Sequence, residues 1–334
     1  MPMRHTRRQF LTTISLGGAA AVAGVLPARG SDGSPETTAL RIAKSPTICV
    51  APQYVAEELL RAEGFSDISY VDTLAPDVPE AVAQSKVDFS MAYASQFIAA
   101  LDAGAPVTLL AGIMVGCFEL FGNERIRSIS DLKGKSVGVQ AIGSTPHLLL
   151  TLLAAQLGLD PLVDLHWVTD QTLKPKEQFI AGKIDAFLGF PPEPQELRAR
   201  HIGHVLVNTA VDRPWSQYFC CTLAGNREFV AAHPIATKRV LRAVLKAADL
   251  CATEPARAAR RLVDGGFVTN YDYARQTLDD IPYDKWRDYD AEDTIRFYAL
   301  RMREAGFIKA TPQKIIADGT DWRFLNELKR ELKA

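Results

Sequence analysis

The sequence has no excess of either charge, and this absence removes a class of partner. Its 334 residues carry 38 lysines and arginines against 39 aspartates and glutamates, a formal net charge of −1. Proteins that bind nucleic acid present clustered basic side chains to the phosphate backbone. We therefore expect no nucleic-acid partner.

Cysteine is scarce, and its spacing fits no metal-binding or disulfide-rich pattern. None of the five cysteines stands in a CxxC or paired-histidine motif, the spacing typical of zinc sites. We predict no metal site, no cofactor and no disulfide framework. The sequence does not decide whether a single disulfide joins Cys117 to either Cys220 or Cys221.

Long hydrophobic runs are also missing. The apolar stretch over residues 14–26 has about 13 residues, too few to span a bilayer. It follows Arg7-Arg8-Gln9-Phe10-Leu11, which is typical of a twin-arginine export signal. We predict a twin-arginine signal peptide over residues 1–30 and a linker over 31–38. Since no cysteine stands near the expected cleavage point, we expect a periplasmic protein without a lipid anchor.

The remaining sequence has the pattern of an α/β protein. Apolar residues make up 47 % of the chain and charged residues 23 %, a normal globular composition. Short apolar strands alternate with amphipathic segments from residue 39 to about residue 224, which predicts βαβ units and mostly parallel sheets. From residue 226 onward the pattern is helical.

An internal repeat indicates two lobes. Ser85-Lys86-Val87-Asp88 and Gly182-Lys183-Ile184-Asp185 each follow a predicted helix and open a predicted strand. We predict lobe 1 from residues 39–116 and 221–334, including a helical C-terminal cap, and lobe 2 from residues 117–220. The chain would cross between the lobes near 115–122 and 218–224.

The stretch from Ser136 to His147 predicts a binding site for a polar or anionic group. A short apolar strand is followed by Gly143, two hydroxyl residues and Pro146, which favours a helix beginning at Pro146 with Thr145 as its N-cap. The free N–H groups at a helix N-terminus bind anions and polar groups. We expect the hydroxyls of Ser144 and Thr145 to take part, and His147 either to bind the ligand or to cap the helix.

Ligands of open α/β sheets bind beyond the carboxyl ends of the strands. The loops 45–52, 93–96, 141–147 and 190–193 would then face one cleft. Glu193 could accept a hydrogen bond from a ligand amine, and Trp215 and Tyr218 could stack on a ring. The predicted ligand-binding residues are Thr47, Cys49, Tyr93, Ser95, Gln96, Cys117, Phe118, Gly143, Ser144, Thr145, His147, Phe190, Glu193, Trp215 and Tyr218.

Several of these motifs together resemble one protein class. They are Asp131-Leu-Lys-Gly-Lys135 before Val137-Gly-Val139, Gly143-Ser144 with His147, and the Lys86-Val-Asp88 and Lys183-Ile-Asp185 strand openers. In this order they resemble the periplasmic solute-binding proteins of ABC importers for nitrate, sulfonate, taurine and thiamine-pyrimidine ligands. The resemblance covers residues 39–260. It implies a two-lobed type II-like fold, hinge closure on a ligand and delivery to an inner-membrane permease.

The leading interpretation is therefore a non-catalytic, monomeric binding protein. The aromatic and cysteine residues near the predicted cleft favour a small organic solute, such as a sulfonate, a carboxylate or a heteroaromatic compound, over a bare inorganic ion. The alternative is an enzyme of the thiamine-pyrimidine synthase-like family, which shares the fold. The export signal and the absence of a dense cysteine run favour the binding protein. A cysteine–histidine hydrolase is disfavoured, because no cysteine of this sequence stands in the Gly-x-Cys-x-Gly type of nucleophile motif.

Overall fold

The computed structural model describes residues 33–45, 47–170 and 172–332. The predicted signal peptide lies outside these residues. All the helices and strands below belong to the unit formed by residues 35–334. In the described part of the chain, no helix is both long enough and apolar enough to cross a membrane.

Ten strands form two separate sheets of five strands each. Their bounds are β1 Ala39–Lys44, β2 Asp67–Asp72, β3 Phe89–Tyr93, β4 Val107–Val115, β5 Glu119–Gly122, β6 Lys135–Gly138, β7 Leu165–Val168, β8 Ala186–Gly189, β9 His204–Asn208 and β10 Phe219–Asn226. The first sheet has the order β2-β1-β3-β10-β4 and the second the order β7-β6-β8-β5-β9. This confirms the predicted two-lobed α/β fold.

Both sheets are mixed in the same way. In the first sheet β10 runs antiparallel to β3 and β4, and in the second β5 runs antiparallel to β8 and β9. The other four strands of each sheet therefore share one direction. The antiparallel strand of each sheet directly follows a crossing from the other sheet, since β4 leads to β5 and β9 leads to β10.

Strand β5 was missed by the sequence interpretation, which treated residues 115–122 as a crossing segment. Only residues 116–118 separate β4 from β5, so the crossing is very short. All four residues of β5 are buried between β8 and β9. A strand covered on both faces shows no alternation of polar and apolar residues, which is why its pattern was not recognised. The exact lobe boundaries remain a prediction.

Fourteen α-helices in the described part of the chain surround the sheets. Their bounds are α1 Ala51–Val55, α2 Glu57–Ala62, α3 Val78–Ala83, α4 Ala94–Asp102, α5 Thr145–Gln156, α6 Pro175–Ile180, α7 Glu193–Ala199, α8 Arg227–Ala232, α9 Pro234–Thr253, α10 Pro255–Asp264, α11 Tyr271–Asp280, α12 Ala291–Glu304, α13 Pro312–Gly319 and α14 Arg323–Glu331. Side-chain caps begin several of them: Asn226, Asn270, Asp290 and Thr311 each accept a backbone N–H of the first turn.

The predicted loop 45–52 is partly helical in the structure. A 3₁₀ turn over Ile48–Val50 leads directly into α1, which begins at Ala51. Pro52 stands in the first turn of α1, where its missing N–H breaks no helical hydrogen bond. The prolines therefore mark the entry of a helix, and the helix predicted to begin at Tyr54 starts three residues earlier.

The internal repeat has a structural counterpart at the two aspartates. Asp88 donates its N–H to Arg41 O of β1 (2.8 Å), and its carboxylate accepts the Arg41 N–H (2.7 Å). Asp185 repeats both bonds with Ser136 of β6, at 2.9 and 3.1 Å. Each aspartate thus fixes the start of the strand that follows it against the neighbouring parallel strand.

The C-terminal helices connect to both sheets. Helix α14 packs against β4 of the first sheet, and α11 packs against α7, which follows a strand of the second sheet. At the contact of α7 and α11, Arg198 forms ion pairs with both Glu119 and Asp280. Glu119 is almost fully buried, so Arg198 supplies the countercharge that its carboxylate needs.

Candidate functional site

One cavity of about 510 Å³ lies where the ends of α3, α4 and α5 meet the carboxyl ends of β3 and β8. It contains seven of the predicted ligand-binding residues: Tyr93, Ser95, Gln96, Gly143, Ser144, Thr145 and Phe190. The other lining residues are Ala75, Pro76, Pro79, Glu80, Ala83, Gln84, Ala99, Ala100, Ala103, Ala105, Gln140, Pro146 and Leu148. The strand ends of both sheets therefore contribute to one cavity.

Three residues that line this cavity carry a buried polar atom without a partner. Gln96 Oε1, Ser144 Oγ and Thr145 Oγ1 have no hydrogen-bond partner among the described residues. A buried polar atom left unpaired costs about 1–3 kcal/mol. Three such atoms at one cavity indicate that a bound molecule or water completes their hydrogen bonds.

Two helix N-termini add backbone donors to the same cavity. Helix α4 has Tyr93 as its N-cap, and helix α5 has Ser144 as its N-cap. The first N–H groups of a helix have no carbonyl partner within it, and the helix dipole makes that end positive. The predicted N-cap, Thr145, is wrong by one residue: Thr145 is the first helical residue and Pro146 the second.

The opposite wall of the cavity is apolar and was missed by sequence reasoning. Ala99 and Ala100 of α4, Ala103 directly after α4 and Ala83 of α3 line the cavity, and Phe190 directly follows β8. Alanines at positions i, i+1 and i+4 share one face of a helix and leave room beside it. This alanine spacing was the available signal, but alanine is also a common core residue, so the pattern was not distinctive.

The cavity contains little charge. Among the described residues that line it there is no lysine, arginine or histidine, and Glu80 carries the single charged side chain. The carboxylate of Glu80 accepts a hydrogen bond from Gln84 Nε2 (2.6 Å). The arrangement suits a molecule with one polar end and an apolar body.

His147 supports the loop beside the cavity and is not part of its lining. Its Nδ1 accepts the Gly143 N–H at 3.1 Å, and its ring lies 4.6 Å from Trp167 and 5.7 Å from Phe307, measured between ring centroids. Gly143 adopts a φ of +85°, which favours glycine. Gly143 precedes the N-cap Ser144, so this bond holds the loop before α5 and is not the helix cap that was one of the two predicted roles; ligand binding by His147 stays a prediction.

The His147 bond predicts a loss of stability in mild acid. Burial lowers the pKa of His147 below 6.5, so the neutral ring is favoured in the folded protein. Its contribution is fully present above pH 6.5 and is lost as the pH falls through the folded pKa. We expect His147→Asn, which keeps an acceptor but does not titrate, to lose less unfolding free energy than the wild type between pH 7 and pH 5.

Urea denaturation at several pH values measures this difference. His166→Asn is the matched control, because His166 lies exposed on β7. An unchanged pH profile in His147→Asn, or an equal change in His166→Asn, would contradict the role of the buried ring.

Thr47 and Cys49 lie beside the main cavity. Thr47 lines a small adjoining cavity that shares Tyr93 and Gln96 with it. The Cys49 sulfur is fully buried, 3.0 Å from Thr47 Oγ1 and 4.0 Å from Tyr93 Oη. A ligand role for Cys49 is therefore not supported by its position: its thiol packs behind the tyrosine.

Phe118 also lies behind the lining residues. Its ring is fully buried and lies 4.9 Å from the ring of Tyr93 and 6.1 Å from that of Phe190. Tyr93 and Phe190 belong to different sheets, so Phe118 packs between the two aromatic residues that line the cavity. Phe118 contacts both of them and does not itself line the cavity.

Glu193 does not face the cavity, so its predicted role as a ligand acceptor needs correction. Its Oε2 turns back to accept the N–H of Phe190 (3.4 Å). Burial raises the pKa of Glu193 to about 7, against the opposing effects of the Phe190 N–H and the Lys176 charge. The carboxyl group stabilises the turn that carries Phe190 to the cavity.

Trp215, Tyr218 and Cys117 are likewise placed away from the cavity. Tyr218 stacks on Phe297 of α12 with the ring centroids 3.9 Å apart, and Trp215 meets the same ring edge-on at 5.8 Å. The Cys117 sulfur lies 3.5 Å from that of Cys220. Neither aromatic residue lines the cavity, since Phe297 on a helix far along the chain contacts both rings, and their stacking on a ligand stays a prediction.

Two mixed sheets with a cavity at their strand ends define the fold of the periplasmic binding proteins. The structure superimposes on the alkanesulfonate-binding protein SsuA from Xanthomonas axonopodis pv. citri bound to MOPS, with a TM-score of 0.70 and 20% identity, covering 86% of this chain and 99% of that one. The nitrate-binding protein NrtA from Synechocystis PCC 6803 gives a TM-score of 0.73 and 15% identity, covering 90% of each chain. These similarities establish the fold.

The sequence itself identifies the family. The NMT1/THI5-like family model matches residues 51–258, and the chain belongs to that family. A curated relative, the 4-amino-5-hydroxymethyl-2-methylpyrimidine phosphate synthase THI13 of Saccharomyces cerevisiae, is 25% identical over 214 residues, which is 59% of this chain and 62% of the relative. The chain thus spans about three fifths of the length of the curated relatives it matches first.

Proposed function

We propose that this protein is the substrate-binding component of an ABC importer and captures a small organic solute without transforming it. The solute has one polar end, such as a sulfonate, a carboxylate or the edge of a heteroaromatic ring, and an apolar body. Its polar end binds at the N-termini of α4 and α5, and its body lies against the alanines of α4 and the ring of Phe190.

The observation that carries this proposal is the set of buried polar atoms without hydrogen-bond partners in the residues that line the cavity. Gln96, Ser144 and Thr145 line one cavity, each carries a buried oxygen atom without a partner, and all three stand at the N-termini of α4 and α5. The two hydroxyl groups can donate hydrogen bonds and the amide oxygen of Gln96 can accept one. Together they can bond a ligand group that accepts hydrogen bonds or one that donates them. A neutral or singly charged group needs no side-chain cation here.

The alternative function is that of the thiamine-pyrimidine synthases, to which the family relationship points. The name of the yeast relative gives a pyrimidine phosphate as its product. A phosphate dianion is usually balanced by arginine or lysine, and the described lining residues include neither. This favours the binding function, in which the two lobes close on the solute and deliver it to an inner-membrane permease.

Location and organisation are part of the same proposal. A binding component of an importer works in the periplasm as a soluble monomer, and the twin-arginine pattern before residue 31 would bring it there folded. Lobe 1 would be formed by residues 39–116 and 221–334 and lobe 2 by residues 117–220. Its function would then depend on the two lobes approaching each other around the cavity.

A thermal-shift screen tests the proposed function. The purified protein is heated with millimolar alkanesulfonates, aliphatic carboxylates, pyrimidines and aromatic acids, and each stabilising compound is then incubated with the protein and analysed for conversion. We expect at least one class to raise the melting temperature and to be recovered unchanged, because binding to the folded state alone stabilises it. Stabilisation by none of them, or turnover of a bound compound, would contradict the proposal.

A further inference from the structure

Two cysteines lie in contact where the chain passes between the sheets. Cys117 belongs to the short first crossing, residues 116–118, and Cys220 is the second residue of β10, which follows the return crossing. Their sulfur atoms are 3.5 Å apart and both residues are reduced. A disulfide needs a separation of about 2.05 Å, so the two sulfur atoms must approach by about 1.5 Å to form one.

The two crossing segments are already joined by backbone hydrogen bonds nearby. Phe118 donates its N–H to Thr209 Oγ1 (2.9 Å), and Thr209 donates its N–H to Phe118 O (2.9 Å). Each bond joins the first crossing to the return crossing. A covalent bond between Cys117 and Cys220 would therefore reinforce a contact that exists without it.

We propose that Cys117 and Cys220 are a redox-reactive pair, and that a small organic disulfide converts them to a bridge linking both crossing segments. The Cys220 thiolate attacks the organic disulfide, forms a mixed disulfide and expels one thiol. Cys117 then loses its proton and attacks the Cys220 sulfur, which expels the second thiol. Two protein thiols are oxidised to one disulfide, and one organic disulfide is reduced to two thiols.

The direct contact of the two sulfur atoms distinguishes this pair, since all five cysteines are buried. The pKa of Cys49 is also held below its usual range by neighbouring thiols, so a low pKa alone does not mark Cys220. Burial raises the pKa of Cys220, but the thiols of Cys117 and Cys221 stabilise its sulfur more strongly and hold the pKa below its usual range. Cys220 is therefore the attacking group of the pair and Cys117 the resolving one.

Mass spectrometry and thermal unfolding of the full chain test the pair. The protein is incubated with oxidised or reduced glutathione, the remaining thiols are blocked in denaturant, and peptides are mapped without reduction. We expect a mass lower by two hydrogen atoms, a Cys117–Cys220 linked peptide and a melting temperature raised by about 5–10 °C, because the bridge closes a loop of about a hundred residues.

Variants separate this pair from the other thiols. Cys117→Ser and Cys220→Ser should lose the temperature shift, and Cys251→Ser, the matched control in α9, should keep it. Unmodified thiols throughout, a stable glutathione adduct without a bridge, or a bridge to Cys49 or Cys221 would overturn the proposal. The mapping uses the unaltered protein, so it decides the question even if a variant fails to fold.

Discussion

Gly116→Ala is expected to lower the free energy of unfolding by roughly 4 kcal/mol. Gly116 has a φ of +42°, and an added Cβ would lie far inside van der Waals contact of the backbone of Thr209 and Ala210. Backbone atoms cannot rotate aside as a side chain can. The methyl group would therefore force apart the two crossing segments at the point where they touch.

Urea denaturation of Gly116→Ala and Gly134→Ala separates the two causes of this loss. Gly134 also has a positive φ, +72°, but an added Cβ would meet nothing within 4 Å. Its alanine variant should lose only about 1 kcal/mol, the effect of the backbone conformation alone. Equal losses in the two variants would show that the close approach at Gly116 does not matter.

Removing the hydroxyls of Ser144 and Thr145 is expected to weaken ligand binding by about 10- to 100-fold. Each hydroxyl lacks a partner in the described structure and belongs to a residue that lines the cavity, so each can bond the ligand. Two hydrogen bonds of about 1 kcal/mol each give a factor in this range. Because neither hydroxyl bonds another described residue, the double alanine variant should fold normally.

Calorimetric titration with the most stabilising compound of the screen measures this effect. Thr151→Ala is the matched control, because Thr151 lies on the same helix and its buried hydroxyl is also unpaired, but it does not line the cavity. We expect its affinity to equal that of the wild type. A double variant that binds as tightly as the wild type would remove the α5 N-terminus from the binding site.

Local sequence signals predicted many elements closely. The helical pattern predicted from residue 226 onward is clearest at α9 and α10, where a proline opens each helix and the apolar residues recur at helical spacing. The repeated Lys-Val-Asp and Lys-Ile-Asp openers predicted two similar lobes, and the aspartates make matching bonds in the two sheets. These signals act within a few residues, so they can be read from sequence.

Contacts between residues far apart in the sequence decided which of the predicted residues line the cavity. Seven predicted residues line the cavity because they follow strand ends, a position that the βαβ pattern reveals. Tyr218 does not line the cavity, because its ring stacks on Phe297, which lies on a helix far along the chain. Glu193 does not line it either, because its carboxylate accepts the N–H of Phe190.

The sequence alone therefore determined the fold class, the order of most helices and strands, and the N-terminus of α5 to within one residue, since periodicity and capping are local properties. Only the tertiary structure decided that β5 is a central strand, that alanines form the cavity wall, and that Cys117 meets Cys220. Each of these features depends on which distant segments pack together. The sequence does not reveal this, because one pattern of apolar residues is compatible with many different side-chain contacts.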